Sequence, residues 1–215
     1  MIYIVMGVTG SGKTTIGQML ADKLQLPFHD ADDYHLSQSV DKMRQGIPLN
    51  DADRAPWLAQ LARLIYVWEM NGGAVLACSA LKEGYRKTLQ TVPDISWIYL
   101  DGSRDTILKR LQARHAHFMP PAMLESQLEA LEKPAYGIHV DVSLSPEQIV
   151  QEVITKIEHM IPQSEFGVIG LGVMGKSLAL NLASHGVRVA IYNRHVPGTE
   201  EGIARQVVTE NPALT

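Results

Sequence analysis

Eight residues near the start of the chain, Gly7-Val8-Thr9-Gly10-Ser11-Gly12-Lys13-Thr14, have the types and spacing to hold a phosphate. They match G-x-x-x-x-G-K-[ST] and stand between an apolar run and a helical pattern. In that setting glycines let backbone N–H groups converge on a phosphate, and the helix N-terminus adds its positive end. Lys13 is expected to reach the β- and γ-phosphates and Thr14 to ligate Mg2+, with Thr15 carrying the binding stretch into the helix. A chance glycine turn before a helix would not be expected to satisfy all eight positions. ATP with Mg2+ is the ligand this predicts.

A phosphate loop alone does not separate a kinase from a GTPase or an ATP-driven motor. No Asn-Lys-x-Asp occurs to read guanine, so the GTPase reading lacks its base-recognition element. The second apolar run leads into His29-Asp30-Ala31-Asp32-Asp33-Tyr34-His35, three carboxylates expected at the carboxyl end of a strand beside the phosphate-loop strand. Ligands of open α/β sheets bind at that edge. Asp30 is read as holding the Mg2+ water shell, and Asp32 as accepting a hydrogen bond from an alcohol and aiming it at the γ-phosphate. Without the phosphate loop this stretch would read as a solvated turn. With it, a small-molecule kinase is expected.

The elements that must hold these groups follow from periodicity. Strands are predicted over Ile2 to Met6, Pro27 to Asp30, Ala74 to Cys78, Ser96 to Leu100 and Ile138 to Val142, with little charge and thus buried on both faces. Ile16, Met19, Leu20 and Leu24 mark one helical stripe, and Trp57, Leu58, Leu61, Leu64, Ile65 and Trp68 another. Ser145-Pro146-Glu147-Gln148 supplies an N-cap, a proline at the first helical position and a capping-box Gln, opening a helix to about Met160. This alternation predicts an α/β fold: a P-loop kinase fold with a five-stranded parallel sheet covered by helices on both faces.

Composition agrees with one domain plus a remnant. The 215 residues are 46% hydrophobic and 20% charged, with a net charge of −4. No basic footprint points to nucleic acid, and no apolar run approaches the length of a membrane span. A cytoplasmic protein is expected. Cys78 closes a buried strand run and is read as an inert thiol.

In order and with matching spacing, several blocks resemble the gluconokinases. They are Gly7 to Thr14, Asp30-Ala-Asp32-Asp33-x-His35, Lys42-Met43-x-x-Gly46-x-Pro48-Leu49-Asn50-Asp51-x-Asp53-Arg54-x-Pro56-Trp57-Leu58, Ala77-Cys78-Ser79-Ala80-Leu81-Lys82-x-x-Tyr85-Arg86, and His117-Phe118-Met119 with Ser126-Gln127. The resemblance spans residues 1 to about 160 and implies ATP plus D-gluconate giving 6-phosphogluconate. Dimers are common in that family, so a homodimer is expected. Shikimate kinase shares the phosphate loop and acidic pair, but its glycine-rich substrate turn is replaced here by Cys-Ser-Ala-Leu-Lys.

The residue chemistry fits a sugar acid independently: a carboxylate needs cations and a polyol needs hydrogen-bonding groups. Arg54, Lys82 and Arg86 are the candidate cations, with Asp33, His35 and Ser79 as polar partners. Arg110 and Arg114, four apart on a helix, lead into His115-Ala116-His117, where small kinases close a lid whose arginines neutralise the transferring phosphoryl group. His115 and His117 have the spacing of a metal pair but lack further ligands, so zinc is not expected. The gluconokinases more often carry Lys-Gly at 115–116 and an acidic patch in place of Ala135-Tyr136-Gly137, expected to form the turn beside the adenine.

Past a linker at 162–165, the stretch from Phe166 has a different signature. Gly170-x-Gly172-x-x-Gly175 follows a strand, precedes a helix over Lys176 to Ser184, and is followed by a strand over Val187 to Tyr192 ending in Asn193-Arg194. Asn and Arg there suit a 2′-phosphate better than the Asp or Glu of NAD readers. This resembles the NADP-binding start of 6-phosphogluconate dehydrogenase, an enzyme that consumes the product expected of residues 1–161. Forty residues follow Gly175, so 166–215 is expected to be a truncated Rossmann segment that contributes little NADP binding. The alternative function is a fusion whose working property is NADP binding or coupling to that dehydrogenase.

Overall fold

In a computed structural model of the chain, residues 1–45, 47, 49–113, 121–160, 166–193, 203–211 and 214 are described. Two compact units emerge, Met1–Lys156 and Ile157–Thr215.

In the first unit, strands β1 (Ile2–Met6), β2 (Phe28–Asp30), β3 (Ala74–Ala77), β4 (Ile95–Asp101) and β5 (Ile138–Asp141) form one parallel sheet ordered β2-β3-β1-β4-β5. Each strand lies within one residue of its predicted run. Two expectations are corrected. The acidic loop leaves β2, and β3 separates β2 from β1, so Asp30 is not on a strand beside the phosphate loop. Nor are all strands buried on both faces: at the edge, β5 alternates, with Ile138 and Val140 buried and His139 and Asp141 exposed. An edge strand meets neighbours on one side only, which leaves its second face less covered.

The helices of this unit are α1 (Lys13–Leu24), α2 (Ser37–Arg44), α3 (Asp51–Met70), α4 (Glu83–Leu89), α5 (Arg104–Ala113), α6 (Pro121–Ala130) and α7 (Pro146–Met160), with a 3₁₀ turn at Ala31–Tyr34. Ile2, Ile4 and Met6 of β1 cluster with Trp57, Leu58, Leu61 and Ile65 of α3. Tyr3 and Val5, which the strand period turns to the opposite face, are buried too, and α1 packs on β1, β2 and β3. The sheet is therefore sandwiched between helices.

Two capping boxes set the helix starts that matter most. The Asn50 side chain accepts from Asp53 N–H at 2.8 Å while Asp53 accepts from Asn50 N–H at 3.1 Å, which opens α3 and places Asp51 and Arg54 in its first turn. Ser145 and Gln148 make the same reciprocal pair ahead of α7, at 3.0 and 3.3 Å, as predicted.

The second unit holds β6 (Phe166–Ile169), α8 (Val173–Ser184), β7 (Val189–Tyr192) and α9 (Ile203–Glu210), with β6 and β7 paired in parallel. α8 begins three residues before its expected start and β7 two residues after. Val168, Leu171, Ala179, Val189, Val207 and Leu214 form its small core. Ile169, Val173 and Met174 are exposed, in keeping with two strands being too few to cover their own apolar surface. The 162–165 linker lies outside the described residues.

Candidate active site

The phosphate loop joins β1 to α1 and is built by close approach. Gly10 has φ +77, and a Cβ there would sit 2.7 Å from Leu111 of α5, so only glycine lets the loop lie under that helix. Val8, Thr9 and Ser11 are buried. The Ser11 hydroxyl, 0% exposed, has no hydrogen-bond partner among the described residues. A buried polar atom of this kind calls for a ligand or water. Lys13 folds back and donates to Val8 O at 3.0 Å.

The acidic turn is tied to this loop across the intervening strand. Thr14 Oγ1 donates to Asp30 Oδ2 at 2.8 Å, and Asp30 Oδ1 accepts from Asp32 N–H at 3.1 Å, which starts the 3₁₀ turn. Asp32 thus projects beside Lys13 and His35. Its side chain is 82% exposed, yet protein packed around the cleft and then the neighbouring Asp30 raise its pKa, while Lys13 and His35 oppose the rise. Because water reaches the carboxylate, screening blunts that rise. Asp33 is exposed on the same turn.

His35 stacks on Trp57 with ring centroids 4.4 Å apart, and Trp57 in turn donates to Ala31 O at 2.8 Å. His35 Nε2 lies 3.7 Å from Asp32 Oδ1. Burial lowers the His35 pKa, partly offset by Asp32, so the ring is neutral near pH 7. Its Nδ1 has no partner among the described residues.

A cleft of about 550 Å³ is lined by Leu49, Asn50, Asp51, Ala52 and Arg54 of the α3 start, Leu81 and Lys82 after β3, and Ser126, Gln127 and Ala130 of α6. Arg54 donates to Leu49 O and lies 5.8 Å from the Tyr85 ring centre. Lys82 is paired with Asp51, 2.8 and 3.0 Å from its two oxygens, and Tyr85 OH also donates to Asp51. The Lys82 hydrogen bond, with help from Tyr85, holds the Asp51 pKa low, and the same bond raises that of Lys82. Gln127 closes the cleft toward the phosphate loop: its Oε1 accepts from Thr9 N–H at 2.7 Å. The cleft and the loop therefore abut.

Two assignments are corrected here. Arg86 is 2% exposed, and its N–H groups go to Ala80 O (2.8 Å), Leu81 O (3.1 Å), Glu132 O (2.8 Å), the Glu83 carboxylate (3.0 Å) and Tyr136 OH (3.0 Å). Nε shares its one hydrogen between Glu83 and Tyr136, and Nη2 also lies 2.9 Å from the Glu83 carboxylate, so all three nitrogens are engaged within the protein. Arg86 is a clamp on the turn that carries Lys82, with no donor left for a substrate. Ser79, part-buried, belongs to that same turn, where Ala80 holds φ 42. Tyr136, expected beside the adenine, instead reaches Arg86 and Glu83.

Arg110, expected to neutralise the transferring phosphoryl group, lies beside the phosphate loop. It donates to Val142 O and approaches to 4.0 Å the point where a Cβ on Gly12 would sit. It lines a pocket of about 330 Å³ with Ser11, Gly12, Thr15, Ile16, Pro146 and Ile149. Arg114, His115 and His117 lie outside the described residues. Among those described, no cluster of three or more acidic, His or Cys side chains forms a protein-only metal site. Thr14 and Asp30 instead offer a hydroxyl and a carboxylate, the hard oxygen donors that Mg2+ takes together with phosphate oxygens.

Cys78 is fully buried, its thiol pushed up to about 12 by desolvation, and is inert as expected. No described helix is long and apolar enough to cross a membrane.

In the second unit, Gly175 permits the glycine turn: a Cβ there would fall 1.9 Å from Gly170 O. Gly170 has φ +86, and Gly172 is the N-cap of α8. Asn193 Oδ1 accepts from Leu171 N–H at 2.8 Å, so this side chain ties the turn to the end of β7. Arg194 lies outside the described residues.

A phosphate loop at the carboxyl edge of a five-stranded parallel sheet, an acidic turn tied to its Thr14, and a cationic cleft against it define a small-molecule kinase of the P-loop class. Residues 9–160 match the shikimate kinase family model, and 165–213 match that of the NAD binding domain of 6-phosphogluconate dehydrogenase. The thermosensitive gluconokinase of Escherichia coli (strain K12) is 42% identical over 173 residues, 76% of this chain and 92% of that one. A crystal structure of a gluconokinase from Sinorhizobium meliloti 1021 superposes with a TM-score of 0.68 at 37% identity, covering 74% of this chain and 91% of the other. An unliganded sugar kinase from Janibacter sp. HTCC2649 gives 0.69 at 40% identity, covering 73% and 94%. The chain belongs to the gluconokinase family.

Proposed function

We propose that this chain transfers the γ-phosphoryl group of ATP to the 6-hydroxyl of D-gluconate. The observation that carries this reading is the abutment, through Gln127, of a cleft bearing Arg54 and Lys82 against the phosphate loop. A sugar-acid carboxylate is met by the two cations, Lys82 sharing its charge between substrate and Asp51, while Asn50, Ser126 and the nearby Ser79, His35 and Asp33 offer groups for the polyol. The shikimate reading is disfavoured by relatives at about 40% identity that are gluconokinases.

The loop from Gly7 to Thr15 cradles the phosphates with its N–H groups, and Lys13 swings from Val8 O to the transferring group. Arg110, Pro146 and Ile149 flank the nucleobase side, which leaves charge neutralisation at the lid to Arg114. Thr14, and Asp30 through water, would hold Mg2+, which would supply neutralisation of phosphate charge. Asp32 accepts the hydrogen bond of the 6-hydroxyl and orients its oxygen in line with the phosphoryl group, taking the proton as the oxygen–phosphorus bond forms and the bond from the γ-phosphorus to the bridging oxygen breaks, with ADP as the leaving group. Phosphoryl transfer of this kind is carried mostly by positioning and electrostatics, which these residues supply.

The domain limits 1–161, 162–165 and 166–215, a cytoplasmic location and a homodimer complete the proposal. The second unit is read as an NADP-binding βαβ unit of low affinity by itself, and coupling to 6-phosphogluconate dehydrogenase is the secondary role it would serve. An ADP-release assay over gluconate, shikimate, other sugar acids and nucleoside monophosphates tests the main reading: Mg2+-dependent turnover is expected with gluconate. Rapid turnover of shikimate or a nucleoside monophosphate, with none of gluconate, would overturn it.

A further inference from the structure

We infer that Gln127 is a specificity-determining residue that reads the 5-hydroxyl of the acceptor while holding the phosphate loop. This rests on the proposed gluconate reaction and adds a contact that neither the phosphate loop nor the cationic residues provide.

The orientation of the Gln127 amide is decided by its partner. Thr9 N–H can only donate, so the atom 2.7 Å from it is the carbonyl oxygen. The amide nitrogen then forms the other end of the group, and among the described residues its two hydrogens have no protein partner. Gln127 also lines the cleft that holds Arg54 and Lys82. A half-buried amide with one end fixed on the phosphate loop and two unused donors in a sugar-acid cleft is suited to a hydroxyl oxygen near the transfer point. With the carboxylate at the cations and the 6-hydroxyl at Asp32, the next hydroxyl along the polyol is the 5-hydroxyl.

The side chain is carried on a firm support, as a reading group requires. Leu124 of the same helix is fully buried, Glu125 pairs with Arg104 at 2.5 Å, and the chain past α6 is held where Glu132 N–H donates to Leu81 O at 2.9 Å. Ser126 lines the cleft beside it.

The test is a mutant-and-analogue cycle on the full chain, measuring kcat/KM of wild type and Gln127→Met with D-gluconate and 5-deoxy-D-gluconate, with 3-deoxy-D-gluconate as control. Wild type is expected to lose about tenfold on the 5-deoxy analogue, the cost of leaving a donor unpaired. In Gln127→Met that further loss should vanish, while the 3-deoxy penalty stays equal in both proteins. Equal 5-deoxy penalties in wild type and variant would overturn the inference, as would an effect of Gln127→Met confined to the KM of ATP, which would make the residue a loop clip alone. Thermal melting reports whether Gln127→Met folds, and Gln127→Asn, which keeps an amide but withdraws it by one carbon, carries the same cycle if it does not. Absence of any turnover of gluconate by wild type would instead sink the underlying reaction.

Discussion

The Thr14 hydroxyl donates to the Asp30 carboxylate at 2.8 Å although the strands that lead to them, β1 and β2, are separated by β3. One hydrogen bond thus brings together, over the top of the intervening strand, the two oxygens proposed to hold Mg2+. Asp30→Asn keeps a carbonyl oxygen for Asp32 N–H and can donate its amide N–H to the Thr14 hydroxyl, so the tie persists with its direction reversed and the charge removed. The Mg2+ concentration for half-maximal turnover should rise at least about tenfold. A magnesium titration at saturating ATP and gluconate measures it, and an unmoved midpoint would remove Asp30 from the metal shell.

Asp32 is the group proposed to take the proton of the 6-hydroxyl. Asp32→Asn should lower kcat by at least ~10²-fold with little change in the KM of gluconate. The acid limb of the wild-type rate profile should lie above the range of an ordinary aspartate, because the cleft and Asp30 raise the pKa. Steady-state kinetics at stepped pH checks both; a kcat that survives the substitution would dismiss Asp32 as the orienting group.

The same shift has a consequence for stability. A carboxyl whose folded pKa is raised binds its proton more tightly in the folded chain, so stability is greatest below its ordinary value of 3.8 and declines as pH rises through the raised value. Asp32→Asn lacks this penalty. The variant should therefore melt at or above the wild-type temperature near pH 7, with the gap closing in acid. Thermal melts across that range would contradict the assignment if the variant were the less stable at neutral pH.

Arg54 and Arg86 should separate cleanly. Arg54→Ala should raise the KM of gluconate at least about tenfold while the melting temperature changes little. Arg86→Ala removes a donor from the carbonyls of Ala80, Leu81 and Glu132 and the counter-charge from Glu83, and should cost about 3 kcal/mol or more of stability, with the gluconate KM of the remaining folded enzyme near that of wild type. Denaturant unfolding paired with kinetics distinguishes them; the reverse pattern would restore Arg86 to the substrate.

The second unit should contribute little to catalysis. Isothermal calorimetry on the full chain is expected to show no micromolar NADP binding, since β6 and β7 supply only one side of a dinucleotide crevice. Ending the chain after Gln163 should leave kcat/KM for gluconate within about twofold. Tight NADP binding, or loss of phosphorylation on truncation, would refute this.

Short-range physics made much of this legible from residue order alone. Gly7 to Thr14 must form a phosphate loop because glycine φ freedom and a following helix are local properties. The strand positions came within a residue because charge-free runs have few ways to be buried. The capping box at Ser145 and Gln148 was visible for the same reason. Its counterpart at Asn50 and Asp53 has the same local spacing, with an acid in place of Gln at the third helical position.

What the tertiary structure alone decided is which side chains meet. Arg86 and Arg54 are the same residue type in neighbouring blocks, but the turn after β3 folds around one and leaves the other at a cleft, and no periodicity encodes that. Arg110 faces Gly12 because α5 returns over the loop, and Pro146 completes its pocket from 36 residues further on. Strand order, which set β3 between β2 and β1, depends on crossovers whose ends are far apart in sequence. Gln127 lies 118 positions from Thr9. A hydrogen bond across that distance is written in the packing of α6 against α5, not in any spacing along the chain.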